Sequence, residues 1–464
     1  MTDTADVAII GAGVVGTAIA RTLAGYRLDC VLLDAATDVG TGTSKANTAI
    51  LHTGFDARPG SLEARLLRRG SELLWSYAAA AGIPVERTGA LLVAWTPEQA
   101  AALPSIAANA RRNGYGAVRP VSAAELYARE PWLGPGAVAG LEVPDEGIIC
   151  PWTTPLAFAT EAVGAGVRLL LGAAVTGVSA HADGRHELAT ARGPVRCRWV
   201  VNAAGLGSDV IDRMFGGGGF TIRPRRGELV VFDKLARPLL RSILLPVPTA
   251  RTKGVLVAPT VYGNVLLGPT ADDVRDRCDR GTTGPGLRSL LEAGRRILPR
   301  LAEEEVTSCY AGLRAATEHP DYVISADGRR RYACAAGIRS TGISASLAIA
   351  EHVVSLLAAA GLPLRPRRDR PAPPEMPYIG EEGLRPYRDA KRIAADPAYG
   401  RIVCHCERVT LGEIRDAMAG PLPPADLGGL RRRTRVMNGR CQGFYCAATV
   451  SRLFASSGRA GPGT

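Results

Sequence analysis

Four cysteines near the C-terminal end of this 464-residue chain are spaced to act together: Cys404-His405-Cys406, thirty-four residues, then Cys441-Gln442-Gly443-Phe444-Tyr445-Cys446. The other six cysteines are scattered singly. Thiolates are soft ligands, and two close pairs on separate turns can enclose zinc or an iron–sulfur cluster. A second set opens the chain, Val7-Ala8-Ile9-Ile10-Gly11-Ala12-Gly13-Val14-Val15-Gly16. In such a turn Gly11 lets the chain reverse tightly and Gly13 lets backbone N–H groups approach a pyrophosphate. Gly16 allows close helix–strand packing, and the helix N-terminus stabilises the anion. Asp34, ending the next strand, is placed to hydrogen-bond a ribose hydroxyl. NAD and FAD share this fingerprint, so the turn predicts a dinucleotide without choosing between them. An organic redox cofactor at one end and a metal centre at the other point to electron transfer.

The elements that must hold these residues follow from pattern. Asp6 to Ile10 is a short apolar run, Val14 to Leu23 has helical spacing, and Cys30 to Asp34 is the next strand. Together they predict a β-turn-α-β unit and a parallel sheet. The middle mixes strand-like runs (Ala90 to Trp95, Val167 to Leu171, Trp199 to Ala203, Glu228 to Phe232, Gly254 to Ala258, Val265 to Gly268) with helical stretches such as Leu62 to Ala81 and Gly286 to Leu298. That alternation predicts an α/β fold, a Rossmann-type domain interleaved with a second, mixed-sheet domain. Residues 362–399 open with prolines and arginines that cannot continue the apolar helix before them, so they are expected to be a linker. Beyond it lie short helices and loops, ending in a Ser/Gly-rich tail from about Ser456.

Composition narrows the class. Net charge is +12, nearly all of it from arginine, since lysine occurs only at positions 45, 234, 253 and 391. No aromatic-interleaved basic motif accompanies it, so an anionic substrate is expected rather than nucleic acid. No charged n-region with an apolar core precedes the first strand, so no signal peptide is expected. Apolar runs fall short of the roughly 18 residues a span needs, interrupted by Glu351, His352 or glycine. Cysteines without a disulfide-framework spacing suit a reducing, cytoplasmic setting, with any membrane association peripheral and through a partner.

Thr43-Ser44-Lys45-Ala46-Asn47-Thr48-Ala49-Ile50-Leu51-His52-Thr53-Gly54, expected to be helical, and Val201-Asn202-Ala203-Ala204-Gly205 resemble motifs of the D-amino-acid-oxidase-like flavoprotein superfamily. Further along, several segments look like the FAD-dependent glycerol-3-phosphate dehydrogenases and the related L-2-hydroxyglutarate oxidases. These are Arg223 to Glu228, Lys253 to Thr260, Leu267 to Ala271, Gly312-Leu313-Arg314 and Ala336-Gly337-Ile338-Arg339-Ser340-Thr341-Gly342-Ile343. The similarity runs in order from Asp6 to Leu357.

What the resemblance implies is FAD rather than NAD. Thr43, Ser44, Lys45, Val175, Ala204, Gly205 and Gly312 then join Gly11, Gly13, Gly16 and Asp34 around the cofactor. Gly337, Ser340, Thr341, Gly342 and Ile343 would lie along the flavin ring, with backbone N–H groups toward its pyrimidine end. It further implies an FAD-dependent oxidoreductase over residues 1–361, with flavin-binding segments at about 1–80, 150–215 and 305–361 and a substrate domain at about 81–149 and 216–304.

Oxidising a secondary alcohol requires hydride transfer to the flavin and removal of the hydroxyl proton by a base. An anionic substrate also needs cationic anchors. The resemblance implies Arg314, Arg339 and Lys253 as anchors, and His52, one of six histidines, as base or flavin contact; Tyr262 and Tyr310 are lesser candidates. Tyr262 stands where relatives often have histidine, and Ala315 follows Arg314 where proline is frequent, so an altered substrate pocket is expected. The expected reaction is sn-glycerol 3-phosphate to dihydroxyacetone phosphate. A 2-hydroxy acid, an amino or imino acid, or a non-catalytic electron-transfer role are the alternatives.

The C-terminal cysteines, with Arg431-Arg432-Arg433 and Gly439-Arg440, resemble the bacterioferritin-associated-ferredoxin-like [2Fe-2S] domain found on some of these dehydrogenases. The resemblance implies a small, mainly helical domain over residues 400–455, with Cys404, Cys406, Cys441 and Cys446 as ligands. Zinc satisfies the same four thiolates, but a redox-inert ion leaves no reason to tether the site to a flavoprotein. Arg431 to Arg433 and Arg440 are expected to offset the cluster's charge or to form a docking face for an acidic redox partner.

Overall fold

The computed structural model describes residues 3–248, 254–369 and 371–457; Lys253 lies outside them. Its first layer is an eight-stranded sheet. At its centre Asp3–Ile10 pairs in parallel with Cys30–Asp34 on one side and Val195–Asn202 on the other. Arg168–Leu171 and Tyr332–Ala336 extend the parallel run outward, and antiparallel strands finish the edge. Cys30, Val31, Leu32 and Leu33 are all buried, as expected of a strand covered on both faces.

The covering helices are Val14–Leu23, Leu62–Ala81, Thr153–Gly164 and Gly342–Ala359. Leu62–Ala81 starts where Ser61 Oγ accepts the Ala64 N–H and Asp321 accepts those of Leu62 and Glu63; it stops at Gly82, whose φ is 67°. Caps at both ends satisfy groups the helix itself leaves open. Gly342–Ala359 is long and apolar enough to cross a membrane, yet it packs between Val14–Leu23 and Leu62–Ala81 as a core helix.

The second layer is a nine-stranded mixed sheet built from two stretches of chain, Ala90–Val143 and Arg223–Ala316. The strand Val306–Ala316 belongs here, paired antiparallel with Arg223–Phe232. The flavin-side segment expected from residue 305 therefore opens inside the second sheet, because Gly312 and its neighbours must cross from one body to the other. A three-stranded sheet of Ile50–Leu51, Val85–Glu86 and Gly147–Ile149 stitches the two bodies together.

One expectation needs correction. Thr43 to Gly54 is no helix: Thr43–Lys45 makes one 3-10 turn and Ile50–Leu51 a short strand. Asn47 is the reason, since its side chain bonds the Ser44 carbonyl and the Ala49 N–H and diverts the backbone, which reaches φ 57° at Ala49. The 362–399 segment runs along the first body. It is fastened to the first body by Arg27 N–H to the Arg365 carbonyl, Arg367 N–H to Gly25 and Met376 N–H to Ala81. Beyond it, Ile402–Cys404 and Val409–Thr410 pair as a small hairpin, and helices Leu411–Ala419, Leu427–Thr434 and Ala447–Ser456 form a separate core around Ile414, Leu430 and Val450.

Candidate functional site

Gly11 has φ 108°, and a side chain there would strike the Ala203 carbonyl at 2.4 Å; at Gly16 one would meet the Gly11 carbonyl at 1.8 Å. The turn is therefore closed to larger residues. Asp34 accepts the Ala12 N–H at 2.6 Å and that of Ala36 at 2.8 Å, and Ser44 Oγ accepts the Val14 N–H at 2.9 Å. Burial pushes the Asp34 carboxyl up, against those two backbone bonds. The N–H groups of Gly13, Val15 and Gly16 meet no acceptor among the described residues. Open donors at a helix start fit a pyrophosphate. Val175 and Ala204 pack on one hydrophobic cluster, and Gly205 turns the chain beside Ala204 with φ 56°.

The strand Val306–Ala316 lies across the Thr43–Lys45 turn. Thr43 Oγ1 donates to the Leu313 carbonyl at 2.8 Å, Tyr310 Oη donates to the Asn47 carbonyl at 2.6 Å, and a side chain at Gly312 would reach the Ala46 carbonyl at 2.0 Å. Alternation puts Arg314 on the same strand face as Tyr310 and Gly312. Its guanidinium makes only long contacts, 3.4 and 3.5 Å, to the Thr270 carbonyl, and no carboxylate pairs with it among the described residues. Burial, with Arg225 nearby, pulls it down to about 10. Arg314 is half-buried, and a cation partly withdrawn from water without a counter-ion favours an anion joining it.

Arg339 is committed elsewhere, to the Pro320 carbonyl and, at 3.9 Å, to Glu63. Glu63 also accepts from Thr341 Oγ1 at 2.8 Å, which fixes the loop of Gly337 (φ 67°), Ser340, Thr341, Gly342 and Ile343 at the start of the core helix. Ser344, one residue on, accepts the His52 N–H at 2.9 Å. His52 Nδ1 lies 3.0 Å from Glu146, a fully buried carboxylate that also accepts the Thr53 N–H and hydroxyl. His52, Arg314 and the 337–343 loop thus border the two bodies' junction. Glu146 was not visible as a candidate: it precedes an unremarkable short strand, and only the pairing of Gly147–Ile149 with Ile50–Leu51 brings it to His52.

In the C-terminal domain the four thiols meet as two pairs, Cys404 with Cys446 and Cys406 with Cys441. Backbone N–H groups of Tyr445, Gly443 and Phe444 point at Cys441 Sγ and favour its thiolate. The Met437 N–H faces Cys446. Gln442 and Gly443 have φ 49° and 89°, and Arg408, Arg435 and Met437 are also left-handed. Such reversals wrap N–H groups around an anion, as at many iron–sulfur sites. No three His, Cys, Asp or Glu among the described residues converge as a single ion requires. Two thiol pairs fit a two-iron cluster.

Of the arginines expected to offset the cluster's charge or face a partner, Arg431 lies beside Cys446, whereas Arg432, Arg433 and Arg440 tie the domains together. Arg433 grips both oxygens of Asp38 at 2.7 and 2.8 Å, Arg432 adds a bond of 2.6 Å, and Arg440 pairs with Asp233 at 2.7 Å. Burial would push the Asp38 carboxyl up, but the Arg433 hydrogen bonds and the two arginine charges hold it below its ordinary range. Glu407, beside Cys406, pairs with Lys234 and Arg435. Arg435 lies 4.1 Å over Tyr262, which is buried, bonded to Cys150 and stacked on Trp152; Trp152 Nε1 donates to the Lys45 carbonyl. Tyr262 is therefore held in this seam.

Comparison with known proteins agrees with both halves. The family described as FAD dependent oxidoreductase matches residues 6–356, and the BFD-like [2Fe-2S] binding domain matches residues 402–456. A glycerol 3-phosphate dehydrogenase of Caloramator mitchellensis is 33% identical over 455 residues, 97% of this chain and 94% of its own. The dithionite-reduced, FAD-bound L-alpha-glycerophosphate oxidase of Mycoplasma pneumoniae superposes with a TM-score of 0.77 at 28% identity, over 82% of this chain and 100% of its own. The L-proline dehydrogenase of P. horikoshii shares the fold, with a TM-score of 0.71 at 21% identity over 78% of this chain and 96% of its own. The chain belongs to the FAD dependent oxidoreductase family, as an enzyme that uses FAD and carries a BFD-like [2Fe-2S] domain at its C-terminal end.

Proposed function

We propose that the enzyme oxidises sn-glycerol 3-phosphate to dihydroxyacetone phosphate and passes the electrons through the [2Fe-2S] cluster to a redox partner. The observation that carries the substrate class is Arg314, a half-buried guanidinium without a carboxylate among the described residues, on the strand face that crosses the Thr43–Lys45 turn. The relatives' names supply the phosphate.

FAD, when bound, accepts the hydride from the alcohol carbon. Gly13, Val15 and Gly16 hold its pyrophosphate through their N–H groups, and Asp34 orders the turn. Arg314 binds the substrate's anionic end, which orients the alcohol. Glu146 orients the His52 ring through Nδ1, and His52 serves as the base for the hydroxyl proton. Cys404, Cys406, Cys441 and Cys446 ligate the cluster. A reducing, cytoplasmic setting is part of this proposal, since it keeps the four ligating thiols available to the cluster.

The test is an anaerobic titration followed at the flavin absorbance. Glycerol 3-phosphate bleaches the flavin, and Arg314→Met raises the concentration needed at least about tenfold, the worth of a charged hydrogen bond. Bleaching by 2-hydroxyglutarate or proline, but not by glycerol 3-phosphate, rejects the assignment.

A further inference from the structure

The cluster site is lopsided. Cys404 and Cys446 are 1% and 3% exposed, whereas Cys406 and Cys441 reach toward solvent and a cavity of about 130 Å³ opens beside Cys406. An electron leaving the molecule has its shorter way out on the Cys406–Cys441 side. There the Cys441–Cys446 loop carries Phe444 and Tyr445, 84% and 79% exposed, the two most exposed large hydrophobic side chains among the described residues. Their rings meet edge to face with centroids 5.2 Å apart. The backbone N–H groups of the same two residues point at Cys441 Sγ. Nothing in the domain's own core uses these rings, and adjacent bare aromatics mark contact surfaces.

Charge selects the partner. Residues 402–456 hold eight arginines and four acids, and the acids are engaged within the chain. Glu407 is buried against Lys234 and Arg435, Glu413 caps its helix and pairs with Arg385, Asp416 pairs with Arg392, and Asp426 caps Leu427–Thr434. Arg431, beside Cys446, and the exposed Arg452 have no carboxylate partner among the described residues. Arginine exceeds acid in this domain by more than the cluster's own negative charge, so the domain as a whole is left positive.

We propose that Phe444 and Tyr445 are the docking surface for a small acidic one-electron carrier protein, which takes electrons from the exposed side of the cluster. This rests on the proposed route of electrons through the cluster. Each docking passes one electron, the carrier's centre gaining what the cluster loses, and two dockings follow each alcohol oxidised.

The holoenzyme and its Phe444→Ser/Tyr445→Ser variant are reduced anaerobically with glycerol 3-phosphate while the cluster's paramagnetic resonance is recorded. Electron delivery is then measured to ferricenium, to acidic cytochrome b5, to basic cytochrome c, and to quinone in anionic vesicles. The expected result is a roughly tenfold fall, in the variant, of the rate to cytochrome b5 relative to ferricenium, as for loss of a binding hot spot. The wild-type rate to cytochrome b5 should also drop with added salt, and cytochrome c should be a poor acceptor. An unchanged ratio overturns the proposal, as does a reduced cluster that cytochrome b5 cannot oxidise, or a defect seen only with vesicles, which would make the patch a lipid contact. A cluster that substrate never reduces sinks the electron route itself, and the docking surface with it.

Discussion

At the scale of single residues, Glu146 lies 3.0 Å from His52, and its burial makes the pair informative. A carboxylate with no exposure, accepting three hydrogen bonds, has no freedom to turn. It acts on the alcohol only through His52, as a positioning residue. Glu146→Gln should lower kcat by about 10²-fold with KM little changed, and adding it to His52→Asn should cost almost nothing more, since groups that act as one unit are non-additive. Equal, additive losses would show Glu146 to be structural only. Sequence made His52 and Arg314 visible because each sits in a motif, yet Glu146 is 94 positions from its histidine with no local signal. Arg339 was visible for the same reason as Arg314, and its guanidinium meets the Pro320 carbonyl and Glu63.

Among the elements, the crossing of Val306–Ala316 over the Thr43–Lys45 turn has little tolerance. A methyl group at Gly312 would lie 2.0 Å from the Ala46 carbonyl, a contact that only backbone movement relieves. Because Thr43 and Ser44 bond both to this strand and to the start of the Val14–Leu23 helix, the movement reaches the pyrophosphate turn. Gly312→Ala should therefore be purified with most of its flavin missing while keeping its cluster, read as the flavin-to-protein absorbance ratio beside iron content. Full flavin occupancy would mean the turn gives way without harm. The strands and core helices were legible because burial on both faces leaves continuous apolar runs. The 43–54 segment was not, since a single Asn47 side chain diverts the backbone where a helix was expected.

Across the whole molecule, the domain order could be read from composition, but not the latch between domains. Asp38 meets Arg432 and Arg433 from nearly 400 positions away, and no pattern marks a partner at that distance. The carboxylate is 1% exposed and lies four residues after Asp34 on the loop that leads to the Thr43–Lys45 turn, so the cluster domain presses on flavin-binding structure. Removing one partner of a buried pair strands the other charges, at a cost of about 3 kcal/mol or more. In the wild-type holoenzyme, unfolding followed at flavin and at cluster absorbance should give one coincident transition. In Asp38→Ala the cluster domain should melt first, and separate midpoints are the signature of uncoupled units. The pH dependence has a definite sign. Arg433 and Arg432 hold the Asp38 pKa below its ordinary 3.8, so the latch contributes fully above that value and is lost as pH falls below it. The gap between wild type and Asp38→Ala should accordingly be constant near neutrality and close only in that acid window. A gap that already shrinks between pH 7 and 5 would point to a different titrating group and remove Asp38 from the latch.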